Sequence, residues 1–341
     1  MNLGELNRIA ETLVTPGRGI LAADESTSTI KKRFDAIGVA STAETRRDYR
    51  ELLFRSTAAM SKYISGVILY DETIRQKAQD GTPLVKLIEA SGSLPGIKVD
   101  EGAKALAFCP GELVTEGLDG LRERLIEYRG LGAKFAKWRA VIDIGAAIPS
   151  FSCINANAHA LARYAALCQE QDIVPIVEPE VLMDGGHDAE RCYAVTEWVL
   201  KTVYQELYHA RVSLEGSVLK PNMVVPGQKS AKRASVEEVA QKTIRVLKAC
   251  VPTAVPGIAF LSGGQSDEEA TAHLNAMNAI GGLPWKLTFS YGRALQAAPQ
   301  KAWSGRAENV VAAQRAFSHR AQMNGLATLG QWRPGLEREA A

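Results

Sequence analysis

Lys220 stands inside an apolar run, "GSVLKPNMVVPG" (216–227), directly before a proline. An unpaired buried ammonium is expensive, so a lysine in such a run has a partner or a job. Desolvation also lowers an amine's pKa, one route to a nucleophile at neutral pH. Two other apolar runs carry charge at spacing two: Lys137 and Arg139 in "AKFAKWRAV", and Glu178 and Glu180 in "IVPIVEPEV". Strand side chains alternate faces, so each pair points one way. A lysine amine that condenses with a ketone gives an iminium ion, an electron sink for making or breaking a C–C bond. Neighbouring carboxylates then move the protons of carbinolamine formation and dehydration.

Such groups need a frame that brings them together. Eight short apolar runs recur with helical stretches between them: 19–24, 66–71, 96–100, 133–141, 173–181, 217–224, 257–264 and 286–292. The intervening "VEEVAQKTIRVLKAC" (236–250) and "NAHALARYAALCQEQ" (157–171) follow helical spacing. Strand and helix alternating eight times predict a parallel sheet closed into a (β/α)8 TIM barrel, an α/β fold. A doubly wound open sheet is the alternative, weakened by the lack of GxGxxG after the first strand. The chain of 341 residues is long for one domain by the ~150-residue prior, but barrels of this type exceed it. The expectation is a single domain over 1–341, with an N-terminal helix at 1–14 and a C-terminal tail from about 320 to 341.

Chemistry in such a barrel belongs at the C-terminal ends of the strands. Asp24 closes the first run, Lys98 and Asp100 lie on the third, and Arg293 follows the eighth. A set of structural ion pairs is the plainer reading of this cluster. Mixed charge this dense suits it less, because buried ion networks cost desolvation without reliably adding stability. The loops "LSGGQSDEEA" (261–270) and "FSYGRAL" (289–295) supply Ser262, Gly263, Gly264, Ser290, Gly292 and Arg293. Glycine lets backbone N–H groups approach an anion, and loops after strands 7 and 8 often bind phosphate in this fold. Ser266 and Glu269 have capping-box spacing for the next helix. Lys98, Arg33 or Lys137 could serve a second phosphate across the mouth.

Composition excludes other classes. The formal charge of +2 calls for neither nucleic acid nor an anionic membrane. The basic loop "GQKSAKR" (227–233) reads as solvated rather than as a polyanion site. No apolar run reaches the ~18 residues of a membrane span, and no signal or transit segment is evident. A cytoplasmic protein is expected. The five cysteines show no CxxC pairing, and the five histidines are scattered. No metal site is expected, and no cofactor.

The stretches "GRGILAADES", "GVILYDET", "GIKVDEG", "GAKFAKWR", "IVPIVEPE", "LKPNMVVPG", "GIAFLSGGQS" and "LTFSYGRALQ" span residues 15–305 in order. Together they make the chain similar to class I fructose-1,6-bisphosphate aldolases of the animal and plant type. The resemblance implies reversible aldol cleavage of fructose 1,6-bisphosphate to dihydroxyacetone phosphate and glyceraldehyde 3-phosphate, without a metal. It makes Lys220 the Schiff-base lysine and Glu178 the general acid/base, with Glu180 ordering the lysine network. Asp24 would accept the C4 hydroxyl proton, and Lys137 would stabilise charged intermediates. Arg139 would bind substrate. Ser262, Gly263, Gly264, Ser290, Gly292 and Arg293 match one phosphate site, Arg33 and Lys98 match the substrate-binding side, and Lys98 lies near the other phosphate. A homotetramer and activity on sedoheptulose 1,7-bisphosphate are also implied. A non-catalytic sugar-phosphate scaffold would be expected to lack Lys220, Glu178 or Asp24, and all three are present. A metal-dependent aldolase would need a histidine cluster.

Two departures stand out. Ser28 occupies a position where the family often has glycine, in what the sequence suggests is a turn near the phosphate region. No tyrosine follows Tyr291. Eukaryotic members end in a tyrosine that assists proton exchange, so another group or a slower step is expected here.

Overall fold

The computed structural model describes residues 1–339. Eight parallel strands close a barrel: β1 (Gly19–Ala23), β2 (Ile64–Leu69), β3 (Leu94–Lys98), β6 (Phe135–Ile142), β7 (Val174–Val181), β8 (Val218–Leu219), β9 (Gly257–Phe260) and β10 (Lys286–Tyr291). Their order around the ring is β1-β10-β9-β8-β7-β6-β3-β2. This is the expected (β/α)8 barrel. The remaining two strands, β4 (Ala103–Ala105) and β5 (Leu113–Thr115), form an antiparallel hairpin that periodicity did not indicate, being only three residues each.

Alternation divides the core in two. Inward-facing Ile20, Ala22, Ile68, Phe135, Val174, Ile176, Val218 and Ala259 fill the barrel. The N-terminal helix Leu3–Leu13 closes its lower end with Leu6, Ile9, Ala10 and Leu13. Outward residues such as Trp138, Val177, Leu219, Phe260 and Phe289 pack in the larger core with the outer helices. The Phe135 ring has room only because Gly96 faces it: a Cβ there would stand 2.4 Å from the ring.

The sixth strand departs most from expectation. The run 217–224 forms only two residues of ladder, since Pro221 has no N–H to donate. The Lys220 N–H still donates to the Val177 carbonyl at 2.8 Å. Beyond the proline, Asn222 replaces the ladder with its side chain. Its Oδ1 accepts from Val181 N–H at 3.1 Å, and its Nδ2 donates to Thr196 Oγ1 at 3.1 Å.

The tail boundary near 320 falls inside a helix. Val310–Thr328 is continuous, and Arg320, Ala321, Met323 and Asn324 are buried. Glu337 in the following segment pairs with Arg320 at 2.6 Å and accepts from Trp332 Nε1 at 3.0 Å. Among the described residues, no helix is long and apolar enough to cross a membrane.

Candidate active site

The inward parity that fills the barrel continues upward into charge. Phe135 is followed on its face by Lys137 and Arg139, Ile176 by Glu178 and Glu180, Val218 by Lys220, and Ala22 by Asp24. Parallel register places Arg139 beside Glu178 and Val141 beside Glu180. The result is a buried chain of ion pairs at the C-terminal mouth. Lys220 Nζ lies 3.1 Å from Glu178 Oε1. Lys137 Nζ lies 3.2 Å from Glu178 Oε2 and 2.8 Å from Asp24 Oδ2. Lys220, Glu178 and Lys137 are each 3–4% exposed.

These groups set one another's charge. Burial pushes the Asp24 pKa up, but Lys137, Lys220 and Lys98 together hold it well below the usual carboxylate range. Burial works against the Lys137 ammonium, but Asp24, Glu178 and Asp100 raise its pKa above the ordinary lysine value. Lys137 is therefore a fixed cation and Asp24 a fixed anion at neutral pH. Glu178 Oε2 has no aligned hydrogen bond among the described residues despite its ion pair. That lone pair can take a proton from a bound molecule.

Glu180 is placed differently from its expected role. Its carboxylate pairs with Arg139 Nε at 2.5 Å rather than with a lysine. It steadies Arg139, whose side chain reaches toward solvent and is 43% exposed. Lys98 is held by the Asp100 carboxylate and by the Asp100 carbonyl, each at 2.8 Å.

The glycine-rich loops lie across the ring from β3 and β6. Ser290 Oγ is buried there without a hydrogen-bond partner among the described residues. Arg293 is exposed and donates to the Gln265 carbonyl at 3.3 Å. Arg33 does not reach across the mouth: a Cβ on Gly292 would lie 3.7 Å from its guanidinium. It sits with the β10 loop because Glu25 pairs with it there. Lys137 is equally unavailable as a separate second anion site, being enclosed between Asp24 and Glu178. Ser28 lies in the first turn of helix Thr27–Asp35, with its Oγ 3.1 Å from that of the N-cap Ser26. The position is helical rather than a turn and has no need of glycine.

Sequence reasoning missed the support behind these loops. Glu25 is buried between Arg33, Arg50 and Gln296, with Gln296 Nε2 donating to it at 2.7 Å. A carboxylate next to Asp24 in "AADES" was the available signal. Arg50 and Gln296 sit in ordinary helical patterns that gave none. Among the described residues, no group of three or more His, Cys, Asp or Glu side chains could hold a metal ion.

Fold and site together define a barrel with a buried lysine–carboxylate network facing the glycine-rich loops after β9 and β10. The family model for glycolytic class-I fructose-bisphosphate aldolase matches residues 5–341. The probable fructose-bisphosphate aldolase class 1 of Xanthomonas campestris is 59% identical over 334 residues, covering 98% of this chain and 100% of that protein. The non-muscle aldolase of Lethenteron camtschaticum is 54% identical, covering 97% of this chain and 91% of that one. The Plasmodium falciparum aldolase, solved with TRAP and a small-molecule inhibitor, superposes with a TM-score of 0.96 at 49% identity, over 98% of this chain and 96% of that one. This chain belongs to the class-I fructose-bisphosphate aldolase family.

Proposed function

We propose that the chain cleaves fructose 1,6-bisphosphate reversibly through a Schiff base on Lys220. The observation that carries this reading is the unbroken buried relay from Lys220 through Glu178 and Lys137 to Asp24. Glu178 takes the Lys220 ammonium proton, and the freed amine adds to the C2 ketone. Glu178 returns the proton to the carbinolamine hydroxyl, which leaves as water, and the iminium forms. The Asp24 carboxylate removes the C4 hydroxyl proton. The C3–C4 bond breaks, its electrons move to the iminium, and an enamine remains as glyceraldehyde 3-phosphate departs. Lys137 holds a fixed positive charge between the two carboxylates throughout.

Phosphate placement follows from the ring order. Lys220 directly follows β8, the strand next to β9 and two from β10. C2 is one carbon from C1, so the C1 phosphate belongs to Ser262–Gly264, Ser290, Gly292 and Arg293, with Arg33 beside them. The C6 phosphate extends toward Lys98 and Arg139 on the opposite strands. Sedoheptulose 1,7-bisphosphate presents the same ketone and C1 phosphate, which supports its use as a second substrate. Comparison of kcat/KM for the two sugars tests that extension. The family resemblance supports a cytoplasmic homotetramer, which light scattering and fractionation test.

The decisive experiment is borohydride reduction with dihydroxyacetone phosphate, followed by peptide mapping. One reduced adduct on Lys220, absent from a folded Lys220→Ala variant, is the expected result. An adduct elsewhere, or none with substrate bound, refutes the assignment.

A further inference from the structure

We infer that His273, acting through Gln265, is a positioning residue for the anion-binding loop Ser262–Gly264, an inference that rests on the phosphate reading above. His273 lies on the buried face of helix Asp267–Ile280, outside the mouth. Its Nδ1 is 2.5 Å from Gln265 Oε1. Gln265 is itself buried, and its Nε2 donates to the Ser262 carbonyl at 3.0 Å. Its backbone N–H is shared between the Gly263 carbonyl at 2.7 Å and the Ser262 carbonyl at 3.1 Å, so the side-chain amide is the second donor on Ser262.

The consequence lies in the peptide planes. In a trans peptide, the carbonyl and the following N–H point in opposite directions. Holding the Ser262 carbonyl on the Gln265 side therefore aims the Gly263 N–H away from it. Holding the Gly263 carbonyl does the same for the Gly264 N–H. Neither N–H is used in a hydrogen bond among the described residues. From the far side, Gln228 Nε2 donates to the Gly264 carbonyl at 2.9 Å. Gly264 has φ +63, and a Cβ there would meet Gln228 Nε2 and Met183 Sδ at 2.6 Å. The loop is held at both ends.

A glutamine amide can rotate by half a turn and exchange its donor and acceptor. Exchanged, Gln265 would set its oxygen against the Ser262 oxygen. The His273 N–H removes that alternative, because only Oε1 can accept it. Burial lowers the His273 pKa against the opposing pull of Glu269 and Glu237, and the Gln265 Oε1 acceptor 2.5 Å away puts the ring proton on Nδ1. The same glutamine also presents its carbonyl to Arg293. One buried residue thus meets both the loop, through its side chain and backbone N–H, and the arginine, through its backbone carbonyl.

The test compares His273→Leu, which removes the donor, with His273→Asn, which keeps an N–H. Three quantities are read: KM and kcat for fructose 1,6-bisphosphate, the dissociation constant of inorganic phosphate by calorimetry, and Tm. His273→Leu is expected to raise KM and the phosphate dissociation constant by roughly five- to twentyfold, with kcat at saturation within about twofold of the parent. His273→Asn is expected to recover most of the loss. A purely structural role would lower Tm in both variants without this split, and that result overturns the inference. So does an unchanged phosphate dissociation constant in folded His273→Leu. Should the leucine variant not fold, Gln265→Met removes the same link at similar volume, and the same readings apply. Arg293→Ala separates the two layers. If it leaves phosphate affinity unchanged, the phosphate reading itself fails. If it weakens phosphate while His273→Leu does not, only the positioning inference fails.

Discussion

Glu178→Gln tests the centre of the relay. The substitution keeps the shape and removes the charge that two buried ammonium groups share, at 3.1 Å from Lys220 and 3.2 Å from Lys137. At an effective dielectric of about 20, each contact is worth about 5 kcal/mol of Coulomb attraction. The carboxylate's own desolvation cost offsets much of that, and breaking a buried pair nets about 3–5 kcal/mol. Lys137 keeps Asp24 at 2.8 Å, so the lower end of that range applies. For 341 residues at about 2.1 cal/mol/K each, a loss of about 3 kcal/mol lowers Tm by about 4 °C. The chemical effect is larger in rate terms. Glutamine cannot relay protons, and lost general acid–base catalysis costs about 10²–10⁴-fold in kcat. The assay is steady-state cleavage with KM measured alongside, together with the rate of borohydride-trapped adduct. Glu180→Gln is the control, because its carboxylate serves Arg139 instead. A Glu178→Gln enzyme with kcat within tenfold of the parent would refute the relay.

Asn222→Ala removes the side chain that continues the ladder past Pro221. It leaves the Val181 N–H without an acceptor and costs about 1–3 kcal/mol for a buried unsatisfied group, read as a shift in denaturant midpoint at constant m-value. An unchanged midpoint would remove Asn222 from that role. Gly96→Ala forces a Cβ 2.4 Å from the Phe135 ring and costs about 1–3 kcal/mol by the same measurement. The pH dependence has a definite sign. The Asp24 pKa is depressed in the folded state, so its stabilisation is complete above the unfolded value of 3.8 and fades only as pH falls below it. The unfolding free energy of wild type over Asp24→Asn is expected to stay constant from about pH 5 to about pH 9 and to narrow in stronger acid. A difference that widens in acid would contradict the charge assignment.

The barrel was legible because its signal repeats: eight apolar runs between amphipathic helices admit few other closures. The catalytic set was legible for a related reason. Charge at spacing two inside an apolar run is rare unless a mouth receives it, and Lys137, Glu178 and Lys220 all prove to be buried there. Partners were not legible. Nothing in "VEPE" says that Glu180 reaches Arg139 rather than a lysine, because that depends on the stagger between β6 and β7. The same blindness hid Glu25, Arg50 and Gln296, which come from three separate segments and meet only in the fold. His273 was visible only as one of five scattered histidines, since its meaning lies in a glutamine eight positions earlier.

The distribution of paired charge carries a last consequence for substrate choice. At the chemical centre, Lys220 and Lys137 are balanced by Glu178 and Asp24. On the β3–β6 side, Lys98 is paired with Asp100 and Arg139 with Glu180. The β10 side is different. Arg33 and Arg50 share the single carboxylate of Glu25, and Arg293 has no ion pair among the described residues, only a backbone carbonyl. Uncompensated positive charge is therefore concentrated where the C1 phosphate is proposed to bind, joined by a buried unpaired hydroxyl and two free N–H groups. A phosphate there meets donors already freed of competitors, whereas one at Lys98 or Arg139 must share each cation with a carboxylate. Charge-assisted hydrogen bonds contribute about 1.5–3 kcal/mol each, and the difference between the two ends is of that order. Fructose 1-phosphate is thus expected to retain about ten- to a hundredfold more kcat/KM than fructose 6-phosphate. Parallel kinetics on the two monophosphates decide it, and the reverse order would place the stronger phosphate site on the β3–β6 side.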